Sequence, residues 1–126
     1  MKYVDGYVLV VPKNKLGAYK RMAAEAGHIW RKYGALEFRE CVGDDLKMKM
    51  GKPFSHLAKL KRGEVVLFSW IVYKSKTARD RVNAKVMKDP RILKMMKRNP
   101  VPMDMKRFSY GGFKTLVDLA GRSRRK

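Results

Sequence analysis

Two carboxylate side chains lie among apolar residues in segments whose side chains alternate like those of β-strands. Asp5 interrupts the apolar run of residues 3–11, and Glu40 shares one face of a predicted strand with Phe38 and Val42. Burial raises the pKa of a carboxyl group and suits it to exchange a proton near neutral pH. We therefore predict Asp5 and Glu40 as candidate catalytic residues. The alternative is a structural role, in which each carboxylate pairs with a lysine or an arginine.

Aromatic side chains recur along the predicted strands and are candidates to line a binding pocket. On the second predicted helix, Arg79 and Asn83 lie one turn apart and share a face. We expect the aromatic residues to cluster inside a barrel around a flat or apolar ligand, with Arg79 and Asn83 as polar contacts. The alternative is ordinary core packing. The aromatic candidates are Tyr7, Phe68, Trp70 and Tyr110.

The residue types that bind metals are scattered and do not predict a metal or cofactor site. Asp44 and Asp45 follow a predicted strand, where short carboxylates more often bond a turn backbone. His28 and His56 each lack a second ligand at metal-binding or haem-binding spacing. Cys41 is the single cysteine, so no internal disulfide can form. We expect no metal, no haem and no other cofactor.

The chain is strongly basic, with 31 lysine and arginine residues against 11 acidic residues and a net charge of +20. Like charges repel one another, and a polyanion would relieve that repulsion. An RNA-binding module is therefore an alternative function, although Glu64 and Val66 stand where an RNA-recognition motif carries stacking aromatics. The plain alternative is a basic surface without a specific partner. The densest basic block comprises Lys47, Lys49, Lys52, Lys59, Lys61 and Arg62.

The order of predicted elements is strand, helix, strand, strand, helix, strand. Ser75 or Thr77 is expected to begin the second helix, and Asp89 and Pro90 begin a further short one. This order predicts an α+β fold of the ferredoxin-like split βαβ type, with both helices on one side of a four-stranded antiparallel sheet. The predicted strands are residues 3–12, 35–42, 65–73 and 108–113, and the first helix is residues 15–33.

The predicted strand at residues 65–73 is apolar on both faces. Helices of this chain cover one side of the sheet, and in a monomer the other side would carry polar residues at alternate positions. Leaving large apolar side chains in water forgoes about 1.5 to 3 kcal/mol each. We therefore predict a homodimer that joins two sheets face to face. The face in question carries Val66, Phe68, Trp70 and Val72.

The 126 residues have the length of a single domain. We expect one ferredoxin-like domain at residues 1–120 and a basic tail at residues 121–126. No apolar stretch reaches the length of a signal-peptide core or a membrane span. Together with the single cysteine, this favours a cytoplasmic protein with no membrane partner.

Five segments span nearly the whole chain in order. They are YVDGYV at residues 3–8, ECVGDD at 40–45, FSWIVY at 68–73, DPR at 89–91 and KRFSYGGF at 106–113. Together they resemble the YbaA-like family of small bacterial proteins. The resemblance implies a dimeric α+β barrel, in which two ferredoxin-like protomers join through their sheets, and it implies no established activity.

These observations favour a cytoplasmic dimeric barrel protein that binds or turns over a small molecule in a pocket beside the sheet. Barrels of the implied architecture include cofactor-independent monooxygenases, so an enzyme of this kind would act by proton abstraction at Asp5 or Glu40. The alternatives are a polyanion-binding or RNA-binding module that uses the basic block and the basic tail, and a structural dimer without a ligand.

Overall fold

A computed structural model describes residues 1–99, 101 and 103–119. The predicted basic tail at residues 121–126 lies outside the described residues. Two 3₁₀ turns, Lys13–Lys15 and Met105–Arg107, precede the first helix and the last strand. The strands are β1 (Tyr3–Pro12), β2 (Glu37–Val42), β3 (Glu64–Tyr73) and β4 (Ser109–Lys114), and the helices are α1 (Leu16–Lys32), α2 (Phe54–Leu57), α3 (Lys76–Met87) and α4 (Pro90–Arg98).

The four strands form one sheet in the order β2-β3-β1-β4, and every neighbouring pair is antiparallel. The long central pair runs from Tyr3 opposite Tyr73 to Pro12 opposite Glu64. This order is that of the split βαβ, and it confirms the predicted ferredoxin-like α+β fold.

Side-chain caps fix where the two later helices begin. Ser75 precedes α3 and its hydroxyl accepts a hydrogen bond from the Ala78 amide at 3.0 Å, which identifies the predicted cap. Asp89 precedes α4 and accepts from the Arg91 amide at 2.8 Å, with Pro90 at the first helical position. The predicted starts of both helices are thereby confirmed.

The helices α1, α3 and α4 cover one face of the sheet, which we call the helix face. The β1 residues Leu9 and Val11 pack there against Tyr19 and Ala23 of α1. The adjoining part of the core joins β3 to all three helices. It contains Ile29, Ile71, Tyr73, Val82, Val86 and Ile92.

The opposite face, which we call the open face, is covered in part by the chain itself. The connection between β2 and β3 places Leu46, Ala58 and Leu60 over Val10 and Val66, which are both buried. Our expectation that only a second molecule would cover this face is therefore wrong for one end of the sheet. In the sequence, the apolar residues of the connection are interspersed with lysines, so their pattern did not predict that they cover the sheet.

Beyond Val10 and Val66, large aromatic side chains of the open face are exposed. Phe68 of β3 is 47% exposed and Phe113 of β4 is 61% exposed. Phe54 of α2 lies with its ring centroid 5.8 Å from that of Phe68 but is itself exposed. The connection therefore reaches Phe68 through Phe54 but leaves these rings and that of Phe113 partly exposed.

Gly27 of α1 packs directly against the Phe38 ring of β2, where there is no room for a side chain. A Cβ atom at Gly27 would lie 2.7 Å from the Phe38 ring, which is nearer than a normal contact. We predict that Gly27→Ala destabilises the protein by about 1 to 3 kcal/mol, despite the better helix propensity of alanine. The measurement is the free energy of unfolding in urea.

Gly17→Ala is the matched control on the same helix. Its Cβ would meet only the Arg21 side chain, at 3.7 Å, so this substitution should keep or raise the stability by up to about 1 kcal/mol. Equal stabilities for the two variants would contradict the proposed close packing of α1 on β2.

Candidate ligand-binding cavity

A cavity of about 310 Å³ lies between the helix face of the sheet and helices α1 and α4. This volume falls within the range of small-molecule sites, roughly 300 to 1,000 Å³. The walls are mostly apolar, and methionines are prominent among them. Thioether side chains adapt to ligands of different shape because they are unbranched and polarizable. The apolar lining includes Tyr7, Met22, Ala26, Trp30, Phe38, Met87, Met95, Met96 and Met103.

Helix α1 contributes one wall of the cavity because its apolar residues recur at spacings of three and four. Tyr19, Ala23, Ala26 and Trp30 form this stripe, and all of them line the cavity. The two alanines leave room between the larger side chains. The cavity therefore follows from small residues at positions where the stripe would otherwise fill the space against the sheet.

The polar end of the cavity is formed by Glu40 of β2 and Tyr19 of α1. The Tyr19 hydroxyl donates a hydrogen bond to Glu40 Oε1 at 2.9 Å. Burial raises the pKa of Glu40, while the hydrogen bonds from Tyr19 and Ser69 oppose this rise by stabilising the carboxylate. Burial and the nearby Glu40 charge also raise the pKa of Tyr19, so this phenol stays protonated and remains a donor.

Tyr19 is the residue of this pair that sequence reasoning missed as a functional candidate. Its signal was its place in the apolar stripe of α1, which predicts only a core residue. The hydroxyl reaches Glu40 because α1 crosses the helix face above β2. Only the packing of the helix on the sheet reveals the partnership.

The four predicted aromatic residues form two groups on opposite faces, which corrects the expected single cluster. On the helix face, Tyr7 and Tyr110 stack with their ring centroids 5.0 Å apart. On the open face, Phe68 and Trp70 lie 5.4 Å apart. The physical reason is the strand register: Tyr7 is paired with Ser69, so its neighbours Phe68 and Trp70 project to the other side.

Tyr7 lines the cavity, whereas Tyr110 is exposed at the edge strand β4. Burial is the main cause that raises the pKa of Tyr7, with smaller contributions from Asp5 and Glu40. On the open face, the Trp70 indole donates a hydrogen bond to Glu37 Oε1 at 2.6 Å. Trp70 also borders the cavity, but its indole has its polar partner outside the cavity.

Asp5 is fully buried on β1 but is not part of the cavity lining. Its Oδ1 atom forms an ion pair of 2.7 Å with Arg79 Nη1. Burial raises the pKa of Asp5, and Arg79 opposes this rise, as do the nearby polar groups of Asn83 and Tyr73. Its Oδ2 atom has no hydrogen bond in the described part of the chain. This geometry corresponds to the structural alternative for Asp5.

Arg79 and Asn83 of α3 are held by structural contacts instead of facing the cavity. The Arg79 guanidinium also bonds Asp80 at 2.7 Å and lies 4.8 Å from the centroid of the Tyr3 ring. Asn83 Oδ1 accepts hydrogen bonds from Trp30 at 3.0 Å and from Tyr73 at 3.2 Å. Neither residue reaches the cavity where a ligand contact was expected.

The six predicted basic residues all have exposed side chains around the connection between β2 and β3. Their use by RNA stays a prediction. Within residues 1–99, 101 and 103–119, no group of three or more acidic, histidine or cysteine side chains is placed to hold a metal ion. In the same part of the chain, no helix has the length and apolar character needed to cross a membrane.

The fold and its cavity define a ferredoxin-like α+β protein, and solved structures share this architecture. A mutant of SnoaB, a cofactor-independent oxygenase from Streptomyces nogalater, matches with a TM-score of 0.52 and 15% identity over 95% of this chain and 98% of its own. A dimeric ferredoxin-like protein from an uncultured marine organism matches with a TM-score of 0.51 and 12% identity over 94% and 98%. At these identities the likeness shows the fold alone.

The chain belongs to the DUF1428 family, described as a protein of unknown function, whose model matches residues 2–105. The uncharacterised protein YbaA of Escherichia coli strain K12 is 42% identical over 118 residues, which cover 94% of this chain and 99% of YbaA. The resemblance to the YbaA-like family is thereby confirmed.

The geometry around Glu40 makes a prediction about its titration. In a ¹³C NMR titration, the pKa of Glu40 should lie above the ordinary range of a glutamate because the side chain is buried. Tyr19→Phe should raise the pKa further, since it removes a hydrogen bond that favours the charged form. Tyr33→Phe is the control, because Tyr33 bonds Asp89 instead.

The same shift predicts the sign of a pH effect on stability. A carboxyl group whose pKa is raised by folding holds more protons in the folded state than in the unfolded state. Relative to Glu40→Gln, the free energy of unfolding should therefore rise as the pH falls through the window between the unfolded and folded pKa values of Glu40. An ordinary pKa, or no response to Tyr19→Phe, would contradict the buried pair.

Proposed function

We propose that the protein binds a small, largely apolar molecule in the cavity and that Glu40 and Tyr19 hold its polar group. The observation that supports this most strongly is a cavity of about 310 Å³ with an apolar and methionine-rich wall and one carboxyl group at its end. Apolar walls provide affinity, and a few placed polar groups orient the ligand. Glu40 is the acceptor or donor in this arrangement, depending on its protonation.

An enzymatic version of this function would use Glu40 as a general base. The ionised carboxylate would accept a proton from an activated C–H or O–H of the ligand, while the electron pair of that bond would stay on the ligand. The raised pKa of Glu40 suits the step. SnoaB, with the same fold, is a cofactor-independent oxygenase, which supports chemistry of this kind without an added cofactor. An oxygenase would further need dioxygen as co-substrate.

A neutral fluorescent probe tests the binding site. N-phenyl-1-naphthylamine is aromatic and uncharged, and its fluorescence increases when it leaves water. We predict saturable binding that Ala26→Phe abolishes or weakens at least about tenfold, since the new ring fills the cavity wall. The measurement is a fluorescence titration.

Ala84→Phe is the matched control because Ala84 is exposed on α3 and does not line the cavity. Ala26→Leu is a milder filling variant, and urea unfolding checks that each variant folds. If the probe still binds with unchanged affinity to folded Ala26→Phe and Ala26→Leu variants, the proposed site is wrong.

We further propose that two protomers join through the aromatic patch of the open face. The patch comprises Phe54, Phe68 and Phe113, and each side chain is at least 44% exposed. Burying such side chains contributes about 1.5 to 3 kcal/mol each. The dimeric ferredoxin-like neighbour supports the assignment. The connection between β2 and β3 already covers the other end, so the interface would occupy only part of the sheet.

The dimer makes a direct prediction for sedimentation at micromolar concentration. The protein should sediment as a dimer, and Phe68→Glu with Phe113→Glu should give a folded monomer because charges would be buried at the interface. Leu93→Glu, at an equally exposed residue of α4, should leave the dimer intact. A wild-type monomer at this concentration would rule out the interface.

The compartment we propose is the cytoplasm. Cys41 is a free thiol on β2 and the chain has no second cysteine to oxidise with it. Reduced single cysteines are typical of that compartment.

A further inference from the structure

A second depression opens beside the cavity, between α1 and α4. It has a volume of about 500 Å³ and is lined by Arg21, Met22, Glu25, Met95 and Arg98. Met22 and Met95 also line the apolar cavity, so the two spaces share a wall. We call this depression the mouth. An anionic group in the mouth would therefore lie next to an apolar group in the cavity.

The mouth carries two arginines and one glutamate. In the described part of the chain, no carboxylate forms an ion pair with Arg21 or Arg98. The Glu25 carboxylate lies in the same depression but leaves an excess of positive charge there. A guanidinium group offers several donors in a fixed geometry that matches carboxylate and sulfonate oxygens. The mouth is therefore suited to an anionic group.

The end of the cavity formed by Glu40 and Tyr19 has the opposite preference. Glu40 lies there, and an anionic group placed beside it would face a carboxyl group in apolar surroundings. Arg79 is engaged with Asp5 outside the cavity. Arg39 borders the cavity, but its guanidinium lies 3.6 Å from Glu37 and 5.8 Å from the centroid of the Trp70 ring on the open face. A charged ligand would therefore enter with its apolar part first and leave its charge at the mouth.

We propose that the ligand class is an organic anion with an apolar body, whose carboxylate or similar group binds Arg21 and Arg98 while its body fills the methionine-lined cavity. This inference rests on the proposed function, since it uses the same cavity. It adds the charge of the ligand, its orientation and two specificity-determining residues. The net charge of +20 would further attract such anions to the protein.

A matched pair of fluorescent probes tests the inference. 8-Anilino-1-naphthalenesulfonate has the same ring system as N-phenyl-1-naphthylamine and adds one sulfonate. We expect the sulfonate to bind about fivefold to tenfold more tightly at low salt, as two partly exposed ion pairs would provide. Added salt should reduce this difference, since it screens exposed charges.

The double variant Arg21→Ala with Arg98→Ala should weaken binding of the sulfonate about fivefold to tenfold and change binding of the neutral probe less than about twofold. Lys76→Ala with Arg81→Ala is the control, because it removes the same charge from exposed positions of α3 outside the mouth. The control variant should leave both affinities within about twofold of the wild type.

The outcomes separate this inference from the function on which it rests. If Ala26→Phe abolishes binding of the neutral probe but the arginine variant leaves the preference for the sulfonate unchanged, the anion site is wrong and the cavity stands. Equal weakening by both double variants would assign the preference to overall charge and overturn the inference. If neither probe responds to Ala26→Phe, the proposed function itself fails.

Discussion

The structure depends on one constraint: the central strands β1 and β3 are apolar on both faces, so each face of the sheet needs a cover. Helices α1, α3 and α4 cover one face and leave a cavity over the small residues of α1. The connection between β2 and β3 covers one end of the other face. Each face of the sheet is covered only in part. The uncovered parts are the two candidate functional surfaces, a cavity on the helix face and an aromatic patch on the open face.

The two candidate carboxylates show how similar sequence signals lead to different roles. Asp5 and Glu40 both lie on strands with apolar neighbours, and burial raises the pKa of each. Arg79, far along the chain, pairs with Asp5 and gives it a structural partner. Glu40 is hydrogen-bonded by the neutral hydroxyls of Tyr19 and Ser69 and faces a space that can hold a ligand. The partner, and not the burial, distinguishes the two.

Periodicity predicted the fold because it is a local property of the chain. Alternation along β1 and β3 and the stripe of α1 are sufficient for the order of elements and the ferredoxin-like topology. The candidate site depends on contacts between distant residues, so Tyr19 was missed. Sequence reasoning also missed that Phe68 and Tyr7 lie on opposite faces of the sheet, since this depends on the register between strands.

The most direct test of the central claim is a crystal structure of the protein with N-phenyl-1-naphthylamine. The account predicts that the aromatic rings lie in the cavity against Trp30 and Phe38, with the probe near the Tyr19 and Glu40 pair. Rings bound only on the open face at Phe68, with protein side chains filling the cavity, would contradict it.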